Sequence, residues 1–122
     1  MKDFLKQRLK EAIDNLNWFK TYEKELTDNG FEAEFIINDG VVTIEIIGVP
    51  KHLHGSGIGT KIMNKLSEKA DELGIVLQLR PAASSTHSRK KLINFYSKFG
   101  FIENTGKNLN PNYQYMYRLP KN

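Results

Sequence analysis

Cysteine is absent from the 122 residues. That excludes disulfides, thiolate metal sites and a cysteine nucleophile, and it fits a reducing, cytoplasmic setting. Long apolar runs are absent too, so no segment is expected to span a bilayer, and the N-terminus lacks the charged-then-apolar pattern of a leader. Charge of one sign is in short supply: 18 Lys and Arg stand against 14 Asp and Glu, a net +4. Such a small, evenly spread excess suits a polyanionic ligand but does not by itself argue for nucleic acid. Repeats, linkers and composition shifts are missing as well. The expectation is therefore one domain over residues 1–122, large enough for a core without staples.

What the chain does have is a glycine-rich stretch, His54-Gly55-Ser56-Gly57-Ile58-Gly59-Thr60. An apolar, β-branched segment, Val41 to Val49, precedes it. A helical stripe of Ile58, Ile62, Met63, Leu66, Ala70 and Leu73 follows. The first N–H groups of a helix have no internal partner, and the aligned peptide dipoles place partial positive charge there. Alternating glycines let the backbone approach a diphosphate and tolerate positive φ. The ligand expected at Gly55 to Thr60 is a phosphorylated cofactor. A Walker A loop does not fit, because Thr60 rather than lysine follows Gly59. A dinucleotide fingerprint starting at Gly55 fails because Thr60 falls where its third glycine or alanine belongs.

The rest of the chain reads as alternating helix and strand. Leu5, Leu9, Ala12, Ile13, Leu16, Phe19 and Leu26 recur at helical spacing from residue 2 to about 28. The Asp14–Asn17 patch carries N-cap chemistry, so one helix or two meeting at a bend both fit, and Asn29-Gly30 stops it. Trp18 and Tyr22 read either as partial core or as the wall of an acceptor site. Strands are expected over Phe31–Ile37 and Val41–Val49, joined by an Asp39-Gly40 hairpin turn, with Pro50 ending the second. Helix 56–73 stops at Gly74. The buried strand Ile75–Leu79 then runs parallel to 41–49 through a right-handed crossover. A loop from Arg80 to His87 offers serine caps, there or at Ser88, for a helix ending at Gly100. Phe101-Ile102 opens a strand, a polar loop covers 105–112, and Tyr113–Leu119 closes the sheet.

The glycine stretch resembles the acyl-CoA loop of the GNAT (Gcn5-related) N-acetyltransferases, Gln/Arg-x-x-Gly-x-Gly/Ala. Gly57 and Gly59 match its glycines, and His54 takes the Gln/Arg position. The run Asn94-Phe95-Tyr96-Ser97-Lys98-Phe99-Gly100-Phe101 resembles that family's second signature, one strand after the CoA helix. The ending Tyr115–Pro120 resembles that of small phage and plasmid members. The family's opening strand has no counterpart, and Arg89 replaces a frequent asparagine.

The resemblance implies an α+β GNAT fold: a mixed, mostly antiparallel twisted sheet, helices on both faces, and a splayed parallel strand pair at the CoA site. It implies acetyl-CoA as cosubstrate and an amine acceptor that attacks the thioester directly. Ile47, Gly48 and Val49 would pair with the pantetheine arm, and His54, Gly55, Ser56, Gly57, Ile58, Gly59 and Thr60 would hold the phosphates. Tyr96 is the candidate acid for the departing thiolate. Glu45 is the candidate base, or else an exposed charge on a hairpin strand, with Glu32 and Glu34 as lesser candidates. His54 beside the phosphates would make cofactor affinity depend on pH.

No metal is expected, because His52, His54 and His87 have no acidic partner in sequence. Membrane and nucleic acid are not the expected partners, and a homodimer stays open. Two rivals remain: a GNAT-fold binding module without activity, and a basic accessory protein of nucleic acid using Lys90, Lys91 and Lys98 with the C-terminal tyrosines.

Overall fold

The computed structural model describes residues 2–82 and 87–121, less the side chains of residues 2, 11, 12 and 15. In chain order the elements are α1 (Lys2–Asp28), β1 (Glu32–Asn38), β2 (Val41–Gly48), α2 (Ile58–Leu73), β3 (Val76–Leu79), α3 (Arg89–Ser97), β4 (Ile102–Glu103) and β5 (Met116–Arg118). The strands form one sheet in the order β1-β2-β3-β5-β4. Among the described residues only β2 and β3 pair in parallel. The α+β class, the mixed sheet and the parallel pair all follow the expectation.

Local chemistry explains most boundaries. Asp39 and Gly40 both take positive φ, 50° and 77°, the turn that suits the right-handed twist of a hairpin. Gly74 closes α2 in the left-handed region, with its N–H returned to Ala70 and Asp71 carbonyls. Ser88 caps α3, its Oγ accepting from Lys91 N–H at 3.2 Å. The serines expected as alternative caps at positions 84 and 85 lie outside the described residues.

The layering departs from the expected helices on both faces. Val42, Ile44, Leu77, Leu79 and Met116 share one apolar cluster with Phe19, Tyr22 and Leu26 of α1, Ile62, Met63, Leu66 and Ala70 of α2, and Ile93, Phe95, Tyr96 and Phe99 of the α3 segment. All three helices therefore cover the same face. Both crossovers, β2-α2-β3 and β3-α3-β4, step in one direction across the sheet, and right-handedness then puts both helices on one side. On the other face, Gln78 donates to Thr43 Oγ1 at 2.7 Å. There the 104–114 loop folds back, Gln114 N–H reaching Gln78 and Tyr117 hydroxyl reaching the Asn108 carbonyl.

Helix α1 is continuous through Asp14–Asn17, so the bend that cap chemistry allowed does not form. Its second half packs on β1 and α2. The outward groups of edge strand β1 are met at Phe35, where the carbonyl accepts from Lys20 and the N–H donates to Glu23 at 2.6 Å. An edge strand otherwise offers those groups to another chain.

Candidate active site

Two departures from regular pairing open the site. The register between β1 and β2 runs Glu34↔Ile46 and then Phe35↔Ile44, which leaves Glu45 as an extra residue in β2. Such a bulge bends the strand and re-aims side chains. Here Glu45 and Ile46 are both exposed, breaking the alternation. Pairing of β2 with β3 ends at Ile44↔Leu79, so β2 continues to Gly48 without β3 beside it. The two parallel strands part there.

Next along the chain, Lys51–Leu53 makes a single 3₁₀ turn, and Gly55 and Gly57 take φ of 82° and 81°. A side chain is strained at such angles, which is the reason for glycine at both. Gly57 caps α2, whose first bond runs from Lys61 N–H to the Gly57 carbonyl at 3.1 Å. The N–H groups of Ile58, Gly59 and Thr60 therefore precede the ladder and face outward with the helix dipole behind them. Gly59 has ordinary φ, and a Cβ there would stand 3.7 Å from Phe95 Cζ, a normal contact. Neither strain nor crowding explains that glycine.

A cavity of about 710 Å³ fills the gap. Glu45, Ile47, Gly48, Val49, His54, Gly55, Gly57, Ile58, Gly59, Thr60 and Tyr96 all line it. Ser56 does not: its hydroxyl turns back to the Leu53 carbonyl of its own loop. The His54 ring also turns back, with Nε2 2.7 Å from the Val49 carbonyl oxygen. A carbonyl only accepts, so Nε2 carries the proton. The loop is thereby tied to the end of β2, and the ring meets His87 edge-on at 5.8 Å between centroids. Among the described residues no group of three His, Cys, Asp or Glu side chains is placed to hold a metal.

Tyr96 sits in the wall formed by α3, its ring 5.4 Å from Phe95 and 5.9 Å from Phe101. Burial raises the pKa of its hydroxyl above the usual phenol value. Reading the sequence did not assign Arg80, His87 or Lys91 to this site; all three line it, and Arg80 and Lys91 bring positive charge. Arg80 directly follows β3 and Lys91 lies in the first turn of α3, and that placement was the available signal. Trp18 and Tyr22 stand elsewhere, stacked at 5.1 Å with Lys65 over the Tyr22 ring and Lys69 over Trp18. They seal the α1–α2 seam and are no part of this cavity's lining.

The profile of the acetyltransferase (GNAT) domain matches residues 18–103. The chain belongs to the GNAT acetyltransferase family. Among solved structures, this GNAT domain is similar to the crystal structure of the anti-CRISPR protein AcrVA5, with a TM-score of 0.55 and 22% identity. That likeness covers 73% of this chain and 90% of the other, and at such identity it shows the fold alone. No curated protein matches the chain. Within the family's pattern, the parted strands, the glycine turn and Tyr96 are the parts that surround the cavity.

Proposed function

We propose that this GNAT domain is an acetyl-CoA-dependent N-acetyltransferase that moves an acetyl group to a primary amine by direct attack in a ternary complex. One observation carries the reading. A single cavity joins the unpaired helix N-terminus at Ile58–Thr60, the free end of β2 and the Tyr96 hydroxyl-bearing wall. The helix end, with Arg80 and Lys91 nearby, suits the diphosphate. Ile47 to Val49, past the last β3 pair, offer backbone groups to the amides of the pantetheine arm. A backbone N–H from this segment aimed at the thioester oxygen stabilises the charge that develops there.

The amine nitrogen bonds to the thioester carbon, the C–S bond breaks, CoA leaves as thiolate, and the proton shed by the new amide nitrogen passes to that thiolate or to solvent. An alkylammonium near pKa 10.4 must first lose a proton, and Glu45 at the bulge takes it directly or through water. Tyr96 faces the leaving sulfur. Proton transfer from a phenol near 10 to a thiol near 8.5 is uphill by roughly 2 kcal/mol, and burial of Tyr96 adds to that. Its main contribution is therefore a hydrogen bond to the sulfur as negative charge grows.

Calorimetric titration with acetyl-CoA tests the cofactor before any acceptor is chosen. Saturable one-to-one binding is expected. Absence of binding refutes the reading, and binding without thiol release for any amine leaves the inactive module in its place.

A further inference from the structure

The first half of α1 carries apolar side chains that the core does not use. Phe4, Leu5, Leu9 and Ile13 are 61%, 58%, 63% and 57% exposed, whereas Leu16, Phe19 and Leu26 farther along pack on the cluster. At about 1.5 Å per residue, residues 2–15 make an overhang of roughly 20 Å. The family match begins only at residue 18, so the overhang lies outside it. The last turn of α1 shares a small cavity with Ile58 at the phosphate end of the sheet. The overhang therefore leaves from the opposite end, beyond the Asp39-Gly40 turn, and keeps clear of the cleft.

Its chemistry narrows the occupant. Leu5, Leu9 and Ile13 follow one another at i, i+4 and i+8, within roughly 80° of the helix circumference. Lys6 and Lys10 border the stripe on one side and Arg8 on the other, with Arg8 also standing 5.6 Å over the Phe4 ring. Asp3 and Asp14 fall farther round. Phe4 stands about 100° from Leu5 with Arg8 between them, and an apolar face interrupted by charge in this way fits a groove better than the continuous face of a helix lying in a membrane. Pairing with a second copy would bring cationic borders together, and the β1 edge is occupied at its middle by Lys20 and Glu23.

We propose that this overhang is a docking helix for a protein partner that presents an apolar groove rimmed by aspartate and glutamate. The partner's carboxylates would meet Lys6, Arg8 and Lys10 while Leu5, Leu9 and Ile13 enter the groove.

The test places a photocrosslinking residue at Ile13 of the full chain in its host cell and maps the crosslinked peptides. The expected product joins position 13 to an apolar groove with Asp or Glu at its rim. The yield should fall at least tenfold with Leu9→Glu, and again with the double change Lys6→Glu and Lys10→Glu. Circular dichroism of each variant confirms that the fold is kept. Light scattering and co-sedimentation with phosphatidylcholine–phosphatidylserine vesicles complete the set. A dimer lost in Leu9→Glu, vesicle binding lost in the same variants, a crosslink indifferent to charge reversal, or no crosslink would each overturn the proposal. Amine-dependent thiol release is expected to stay at the wild-type level in Leu9→Glu, which separates this surface from the cleft.

Discussion

Between Phe95 and Phe101 the Tyr96 phenol holds its proton more firmly than one in water, because burial disfavours the phenolate. Through neutral pH it is therefore a hydrogen-bond donor. Tyr96→Phe keeps the packing and removes that donor, so turnover should fall about ten- to a thousandfold with acetyl-CoA affinity little changed. Steady-state kinetics beside calorimetry check both halves, and turnover within twofold of wild type would make Tyr96 a core residue only. Gly59 gives a cleaner probe of the proposed phosphate site at the α2 N-terminus than Gly57, whose positive φ makes any substitution strained. Gly59→Asp adds negative charge in the first turn of α2, which suits the helix dipole and should leave thermal stability unchanged or slightly higher. The same charge repels a diphosphate, so acetyl-CoA should bind at least tenfold more weakly. Equal affinity would remove the cofactor from this loop. The glycines were legible from their spacing at a strand-to-helix junction, and Tyr96 only from the resemblance of Asn94–Phe101 to the family's second signature. The His54 bond to the Val49 carbonyl was not, because a side chain that folds back on its own loop leaves no mark in sequence.

At the scale of elements, punctuation residues made the strands and helices readable. Asp39-Gly40, Gly74, Ser88 and Gly100 each mark a boundary where the backbone needs a turn or a cap. The bulge at Glu45 escaped notice because Ile44-Glu45-Ile46-Ile47 reads as a slightly irregular apolar strand, and only its partner's register reveals the extra residue. The continuity of α1 was also hidden: residues such as Asp14 and Asn17 cap a helix when it starts there and face solvent when it passes through. The single-sided layering needs the sheet order, which no local pattern carries. One device at this scale has a measurable weight. Glu23 accepts from the Phe35 N–H at the β1 edge, and Phe35 is fully buried. Glu23→Ala leaves that N–H unpaired and should cost about 1–3 kcal/mol in urea unfolding. No loss would mean that water satisfies the edge.

Across the whole molecule, the C-terminal strand is fastened by a distant pair. Arg118, 3% exposed, makes two hydrogen bonds to Asp71 at 2.8 and 2.9 Å and donates to the Phe99 carbonyl, joining α2, the end of α3 and β5. The guanidinium bond, ahead of the Lys121 N–H, holds the Asp71 pKa below the usual carboxylate range. A lowered folded-state pKa stabilises above the unfolded value, about 3.9, and that stabilisation is lost as pH falls through the folded value. Asp71→Asn keeps one acceptor for Arg118 but removes the charge from a pair whose carboxylate is partly exposed, so it should lower stability by about 1–3 kcal/mol at pH 7 and flatten the acid limb below about pH 4. An unchanged acid limb would refute this assignment. The central claim, acetyl transfer to an amine in the cleft between β2 and β3, is tested most directly by thiol release. The measurement uses acetyl-CoA and a panel of primary amines. Amine-dependent release by the wild-type chain, lost in Gly59→Asp and sharply reduced in Tyr96→Phe, is the predicted result. Release at background for every amine, or equal release by all three proteins, would contradict it.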